Sequence, residues 1–300
     1  MSLMLLGILN SQAAGGGPQF VLVGGDGKLS TSPDGITFSS QTSGFGTSLI
    51  RRVVRGADLY VAVGDAGKII SSPDAITWTS RTSTFGSSKI RGLVYANNLY
   101  VAVGEVGKIA TSTDGITWTS RTSTFASTDI FAVTYGDGLY VAVGGSGKIS
   151  SSPDGITWTS RSSAATSTIF GISYGEGLFV LGSTAADLYS SPDAITWTSR
   201  NAGFGTTDIY SSLYGAGLFL IAGGYGGGNG KLATSPDAIT WTLRTTGLSG
   251  VYFGAIGFGN GIYFAISSVA GALSSSLNGI SWTAQTSGFG SSAVASIVYG

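Results

Sequence analysis

Ser152-Pro153-Asp154-Gly155-Ile156-Thr157-Trp158 is the stretch on which the fold turns, because the same heptapeptide returns along the whole chain. Its Asp falls at Asp34, Asp74, Asp114, Asp154, Asp193 and Asp237, with Asn278 in a seventh copy. The aromatic four residues on is Phe38, Trp78, Trp118, Trp158, Trp197, Trp241 and Trp282, so all 6 Trp occupy one repeat position. A period of roughly 40 residues signals a propeller or a solenoid.

One period holds four strand candidates, in the second copy residues 50–55, 59–63, 68–72 and 76–81. They are rich in Val, Ile, Tyr, Trp and Thr, too short for helices, and separated by Gly-containing or Pro-Asp turns. Each period therefore reads as a four-stranded antiparallel sheet, one blade of a propeller. The first copy begins with Phe20-Val21-Leu22-Val23, the second strand of a blade, and lacks a first strand. The missing strand is at the other end, where Ala293-Val294-Ala295-Ser296-Ile297-Val298-Tyr299 has the first-strand pattern of Ile130-Phe131-Ala132-Val133-Thr134-Tyr135. The expectation is an all-β, seven-bladed propeller over residues 18–300. Its ring is closed by the C-terminal strand, which removes an open sheet edge.

Composition narrows the function classes. The 300 residues carry 15 Lys and Arg against 15 Asp and Glu, which provides no basic stripe for nucleic acid. Cys and His are both absent, so thiolate chemistry and the commonest general base are excluded, and only oxygen ligands remain for a metal. No metal and no cofactor are expected. The apolar run from Leu3 to Leu9 follows no Lys or Arg and is far shorter than the roughly 20 residues of a membrane-spanning helix. It reads as neither signal peptide nor membrane span.

Residues that recur from blade to blade read as scaffold, because a catalytic group is needed once. The Asp accepts hydrogen bonds from its own turn, the Pro presets φ, and the Trp fills the gap between sheets. Gly follows the Asp in four copies but Ala does so at Ala75, Ala194 and Ala238. Ala at positive φ is strained by about 1 kcal/mol, which predicts an ordinary negative φ here. Arg81, Arg121, Arg161, Arg200 and Arg244 are expected to stack or pair between blades. Lys28, Lys68, Lys108, Lys148 and Lys231 read as solvated, and Phe45, Phe85, Phe125, Phe204 and Phe289 as packing between neighbouring blades. The repeated Ser-x-Asp-Gly-x-Thr-Trp resembles the Asp-box of sialidase-like propellers, with one residue fewer between Asp and Thr. That resemblance implies a turn between the third and fourth strands of each blade.

A unique site should lie where the copies differ, on loops held by rigid sheets. The loops between second and third strands vary, with Asp65, Glu105 and the longer segment containing Tyr225. The segments before the first strands, such as Ser88-Lys89, Thr128-Asp129 and Thr207-Asp208, are expected on the same face. First strands expected along the channel carry Arg51, Arg91, Phe131, Phe170 and Tyr210 at equivalent positions. Arg51, Arg91, Asp65, Glu105, Tyr210 and Tyr225 form the candidate ligand site; a solvated polar mouth is the alternative reading.

Glycoside hydrolysis needs a carboxyl pair, and a sialidase-like site adds an Arg cluster, a Tyr nucleophile with a Glu partner and an acid/base Asp. With only Glu105 and Glu176 in the chain, no enzyme is expected. Residues 1–17 point elsewhere. Leu3, Met4, Leu5, Leu6, Ile8 and Leu9 would be poorly soluble unless buried on a partner, and the following Gly run makes a flexible joint. Leu5-Leu6-Gly7-Ile8-Leu9-Asn10-Ser11-Gln12-Ala13-Ala14-Gly15 resembles the start of tailed-bacteriophage virion proteins such as tail fibres, receptor-binding proteins and decoration proteins. That resemblance implies a non-enzymatic virion-surface protein, anchored to a capsid or tail protein and displaying its propeller for adhesion to a host-surface glycan or protein, or for decoration. The other reading is a protein-binding propeller like the Asp-box-like assembly factors of membrane complexes.

Overall fold

The computed structural model describes residues 17–162, 165–224, 230–269 and 271–300. Seven four-stranded antiparallel sheets account for them. Blade 2 is typical, with Ile50–Arg55, Tyr60–Gly64, Ile69–Ser72 and Thr79–Arg81 in order from the channel outward. Blades 3 to 7 begin with the inner strands Ile90–Ala96, Ile130–Gly136, Ile169–Gly175, Ile209–Gly215 and Phe253–Gly259. Each inner strand contacts those of the blades on either side, so the inner strands form a closed ring. The anchor residues Leu3, Met4, Leu5, Leu6, Ile8 and Leu9 lie outside the described residues, as does Tyr225.

Blade 1 is assembled from both ends of the described chain, as the strand pattern predicts. Val294–Tyr299 pairs antiparallel with Phe20–Gly24, aligning Phe20 with Tyr299 and Leu22 with Ile297. Gln19 and Gly300 exchange backbone hydrogen bonds at 2.8 and 3.2 Å just beyond the ladder. The second strands are buried on both faces, Val21, Val61, Val101 and Val141 being fully enclosed. Their near-continuous apolar runs follow from having a neighbouring blade on each side.

The repeated heptapeptide forms the turn between third and fourth strands. In blade 3, Asp114 Oδ1 accepts from Ile116 N and Thr117 N, both at 2.8 Å, and from Ser112 Oγ at 2.8 Å. The fourth strand therefore starts three residues later than the pattern predicts, at Thr79 rather than Ile76, because Ile-Thr is held in the turn. The Ile is left exposed in every copy, while Trp118 and Trp158 are buried against inner residues of adjoining sheets. Phe45, Phe85, Phe125, Phe204 and Phe289 are enclosed, and Phe85 joins Val61 and Ile69 of blade 2 to Ile90 and Tyr100 of blade 3.

Three expectations are corrected. Ala75, Ala194 and Ala238 sit at φ 59°, 58° and 58°, in the left-handed region, not at negative φ. Their methyls are fully buried between blades, and burying one contributes about 0.8 kcal/mol, which offsets most of the left-handed strain. Where neighbours crowd closer the turn keeps Gly: a Cβ on Gly155 would lie 2.8 Å from Leu99 Cδ2. Among the described residues, the hydrogen bonds of the Arg column run within a blade and not between blades. Arg81 Nε donates to Ser71 Oγ and Arg121 Nε to Thr111 Oγ1, both at 2.8 Å, across the third and fourth strands of one blade. The Lys column is not simply solvated. Lys68 Nζ donates to the Phe45 carbonyl at 2.7 Å and Lys108 Nζ to the Phe85 carbonyl at 2.7 Å, each fastening a blade to the connection that leads into it.

The turns make stability acid-sensitive. At Asp34, Asp114, Asp154, Asp193 and Asp237 the Thr N–H, then the Ile N–H, lowers the carboxyl pKa, to about 2 at Asp114, Asp154 and Asp237. At Asp74 burial pushes upward first and the same donors outweigh it. A carboxylate whose folded pKa is depressed stabilises the fold above its unfolded pKa of about 3.9, and that contribution disappears as pH falls through the folded value. The urea midpoint should therefore drop steeply between about pH 4 and pH 2. Asp114→Asn, which copies the uncharged acceptor of Asn278, should lose less stability at pH 7 than Asp114→Ala, expected to cost about 1 kcal/mol. Denaturation curves across this range check both.

Candidate functional site

The face carrying the turns between second and third strands surrounds a funnel of about 570 Å³ at the channel mouth. Its shape follows from a β-bulge repeated in the inner strands. In blade 2, Ile50 pairs with Gly64 and Arg52 with Val63, leaving Arg51 as the extra residue. Blades 3 to 7 repeat the shift, and a bulge re-aims the side chain it inserts. The bulged column reads Arg51, Arg91, Phe131, Phe170, Tyr210 and Gly254, all of which line the funnel.

One arc of the mouth is charged. Arg51 Nε is hydrogen-bonded to Asp65 Oδ1, and Arg91 Nη2 donates to Glu105 Oε1 at 2.9 Å and Asp129 Oδ2 at 3.2 Å. Burial alone would raise the Glu105 pKa, but the Lys89 N–H and the Lys89 and Arg91 cations outweigh it and hold Glu105 below the usual range. Asp129 Oδ1 also accepts from Val106 N at 3.0 Å, tying blade 4 to the turn of blade 3.

The other arc is aromatic. Arg91 lies 4.7 Å from the centre of the Phe131 ring. From there Phe131 and Phe170 meet edge to face at 4.9 Å, Phe170 and Tyr210 at 5.3 Å, and Tyr210 and Tyr252 at 6.1 Å. Tyr210 Oη donates to Asp208 Oδ2 at 3.1 Å, and Asp208 Oδ1 accepts from Ala185 N at 2.9 Å. Gly254 and Ala295 then leave the arc open across blades 7 and 1.

Of the residues singled out from sequence, Arg51, Arg91 and Tyr210 line the funnel. Asp65 and Glu105 do not; they hold the two arginines. Sequence reasoning placed Phe131 and Phe170 in the right column without assigning them to the site, and missed Tyr252 and Arg52. Arg52 lines the funnel and also a cavity of about 140 Å³ beneath it. Its Nη1 donates to the Arg51 carbonyl at 2.9 Å and the Ala295 carbonyl at 3.3 Å. Burial, with Arg51 adding repulsion, pulls its pKa down to about 10, so it remains cationic at neutral pH. The signal for it was the next column, where the other blades carry only Gly, Ala or Ser.

Among the described residues, no group of three or more Asp or Glu stands together as a metal site, and no helix is long and apolar enough to cross a membrane.

Residues 73–215, from the outer turn of blade 2 to the inner strand of blade 6, match the family described as the DUF6242 beta propeller domain. No curated protein sequence matches the chain. Solved structures share the fold at low identity. YCF48 bound to D1 peptide is 18% identical, with a TM-score of 0.61 over 79% of this chain and 81% of that one. YCF48 from Cyanidioschyzon merolae is 16% identical, with a TM-score of 0.61 over 79% and 85%. A catalytically inactive virginiamycin B lyase from Staphylococcus aureus with quinupristin is 13% identical, with a TM-score of 0.69 over 86% and 94%.

Val106, β-branched, half-exposed and at φ 54°, carries the least comfortable backbone at the mouth. Val106→Gly should raise stability by about 1 kcal/mol, measured by urea denaturation, with the Asp129 contact retained because it uses the backbone N–H.

Proposed function

We propose that the propeller is a non-catalytic protein-binding module that takes a segment of a partner protein into the funnel. The carrying observation is the division of the mouth into an ion-paired arginine arc and a continuous aromatic arc from Phe131 to Tyr252. Aromatic rings offer a large contact area at small entropic cost, and polar groups at one end orient a ligand. The mouth acids Asp65, Glu105 and Asp129 are engaged with arginines, and among the described residues no carboxylate lines the funnel to act as an acid or base. Ycf48, a propeller of the same fold solved bound to D1 peptide, adds support for a peptide ligand.

Panning a random peptide library against the purified propeller tests the reading. Peptides enriched on the wild type should lose at least tenfold in affinity for a Phe170→Ala/Tyr210→Ala variant that keeps its circular dichroism spectrum. No enrichment, or equal binding to the variant, would exclude the funnel as the binding surface. Hydrolysis of a glycoside panel by the wild type, lost on replacing Arg51 or Arg91, would overturn the non-catalytic assignment.

The N-terminal resemblance carries a second reading, in which this module is displayed on a virion. Residues 1–17 would dock on a capsid or tail protein, and the funnel would meet a host-surface glycan or protein. Deleting residues 1–17 should then abolish incorporation into particles while leaving a soluble propeller. Detection of the truncated protein in purified virions at wild-type level would remove the anchor role.

A further inference from the structure

The inner-strand position after the bulge is small in every blade but one. It is Gly92, Ala132, Gly171, Ser211, Ala255 and Ser296 in blades 3 to 7 and 1, and Arg52 in blade 2. All seven line the lower cavity of about 140 Å³. Six small residues open a waist in the channel, and a single guanidinium occupies its wall. Arg52 also belongs to the funnel lining, together with Phe170, Tyr210 and Ala295, so these four residues mark the neck where funnel and waist meet.

The charge of Arg52 is not compensated. Arg51 and Arg91 have carboxylate partners, whereas among the described residues Arg52 has only the two carbonyls that accept from Nη1. Among the described residues, neither cavity has an Asp or Glu in its lining. A guanidinium has five N–H donors and does not give up its proton at physiological pH. Arg52 is half-buried at the neck, so it loses part of its hydration without a counter-charge, and an anion that also engages the free donors relieves that cost. Planar carboxylates match the guanidinium fork in two parallel hydrogen bonds. The two anchoring carbonyls, one from blade 2 and one from blade 1, fix Nη1 and limit which way the remaining donors turn.

We propose that Arg52 is an anion site at the neck of the channel and takes a carboxylate carried on an aromatic or branched apolar body. The carboxylate meets Arg52, and the body rests against Phe170 and Tyr210. This rests on the reading of the funnel as a binding site but not on the ligand's being a peptide. The carboxylate belongs either to a free small acid or to the partner segment in the funnel, and both present the same chemistry to Arg52.

Fluorine NMR titration of the wild-type chain with 4-fluorobenzoate and 4-fluorobenzamide tests the site. The acid should bind at least tenfold more tightly than the amide. Arg52→Met should reduce acid binding to the level of the amide. The same variant should melt at or near the wild-type temperature, because it removes a half-buried cation that has no ion-pair partner; that separates loss of the site from loss of the fold. Equal binding of acid and amide, or undiminished acid binding by Arg52→Met, would overturn the proposal. Peptides selected by panning then distinguish the sources. Displacement of 4-fluorobenzoate by the free peptide but not its fully amidated form assigns the carboxylate to the partner segment, and simultaneous binding assigns it to a separate small acid. Arg52-dependent binding of 4-fluorobenzoate with no peptide enriched would uphold the anion site and remove the protein-binding reading.

Discussion

A four-stranded sheet that is apolar on both faces is stable only with a neighbour on each side, and the pairing of Val294–Tyr299 with Phe20–Gly24 supplies that condition for all seven sheets. Without it blade 1 would lack its inner strand, and Phe20–Gly24 would present an unpaired ladder towards the channel. Phe20 and Leu22 pack in one cluster with Phe264 and Ile266 of blade 7, whereas Val21 and Val23 pack in another with Tyr60 and Ala62 of blade 2. The alternation of one strand thus joins three blades, and the same arrangement recurs around the ring.

The repeated columns serve this ring in ways that differ from their chemistry at first sight. Lys68 and Lys108 are cations, yet each acts as a hydrogen-bond donor to the carbonyl of the connection behind it. The Arg column is directed inward to a Ser or Thr hydroxyl of its own blade, and Gln41 and Gln285 fill the same role in blades 1 and 7. In each case the donor satisfies an acceptor that the packing partly shields from water. The seven Ile side chains of the turns remain exposed because the neighbouring backbone is committed to the Asp or Asn oxygen, which carries them outward.

Departures from the repeat concentrate at the inner strands. A scaffold that holds seven equivalent positions at one radius brings together residues that are about 40 positions apart in the chain, and a substitution in one copy becomes a feature of a shared rim. Two adjacent bulged positions hold Arg and the next three hold aromatic rings, so the rim is polarised across its diameter. The carboxylates nearest the arginines neutralise two of them and leave Arg52, one residue further along and on the channel side of the bulge, without a counter-charge.

Read alone, the chain determined the number of blades, the strand order within each blade and the closing strand, because all three follow from periodicity and from matching one copy to another. It also aligned the column of Arg51, Arg91, Phe131, Phe170 and Tyr210, which the strand register shows to be bulged. Only the tertiary structure decided the rest. Left-handed Ala75 depends on whether a methyl fits between two sheets, and the Lys contacts depend on where a carbonyl 23 residues earlier comes to lie. Tyr252 enters the aromatic arc from a segment that departs from the repeat, and Arg52 faces the waist because the bulge at Arg51 shifts the register by one residue. These are matters of distance and free volume between separate blades, which no periodicity in one chain records.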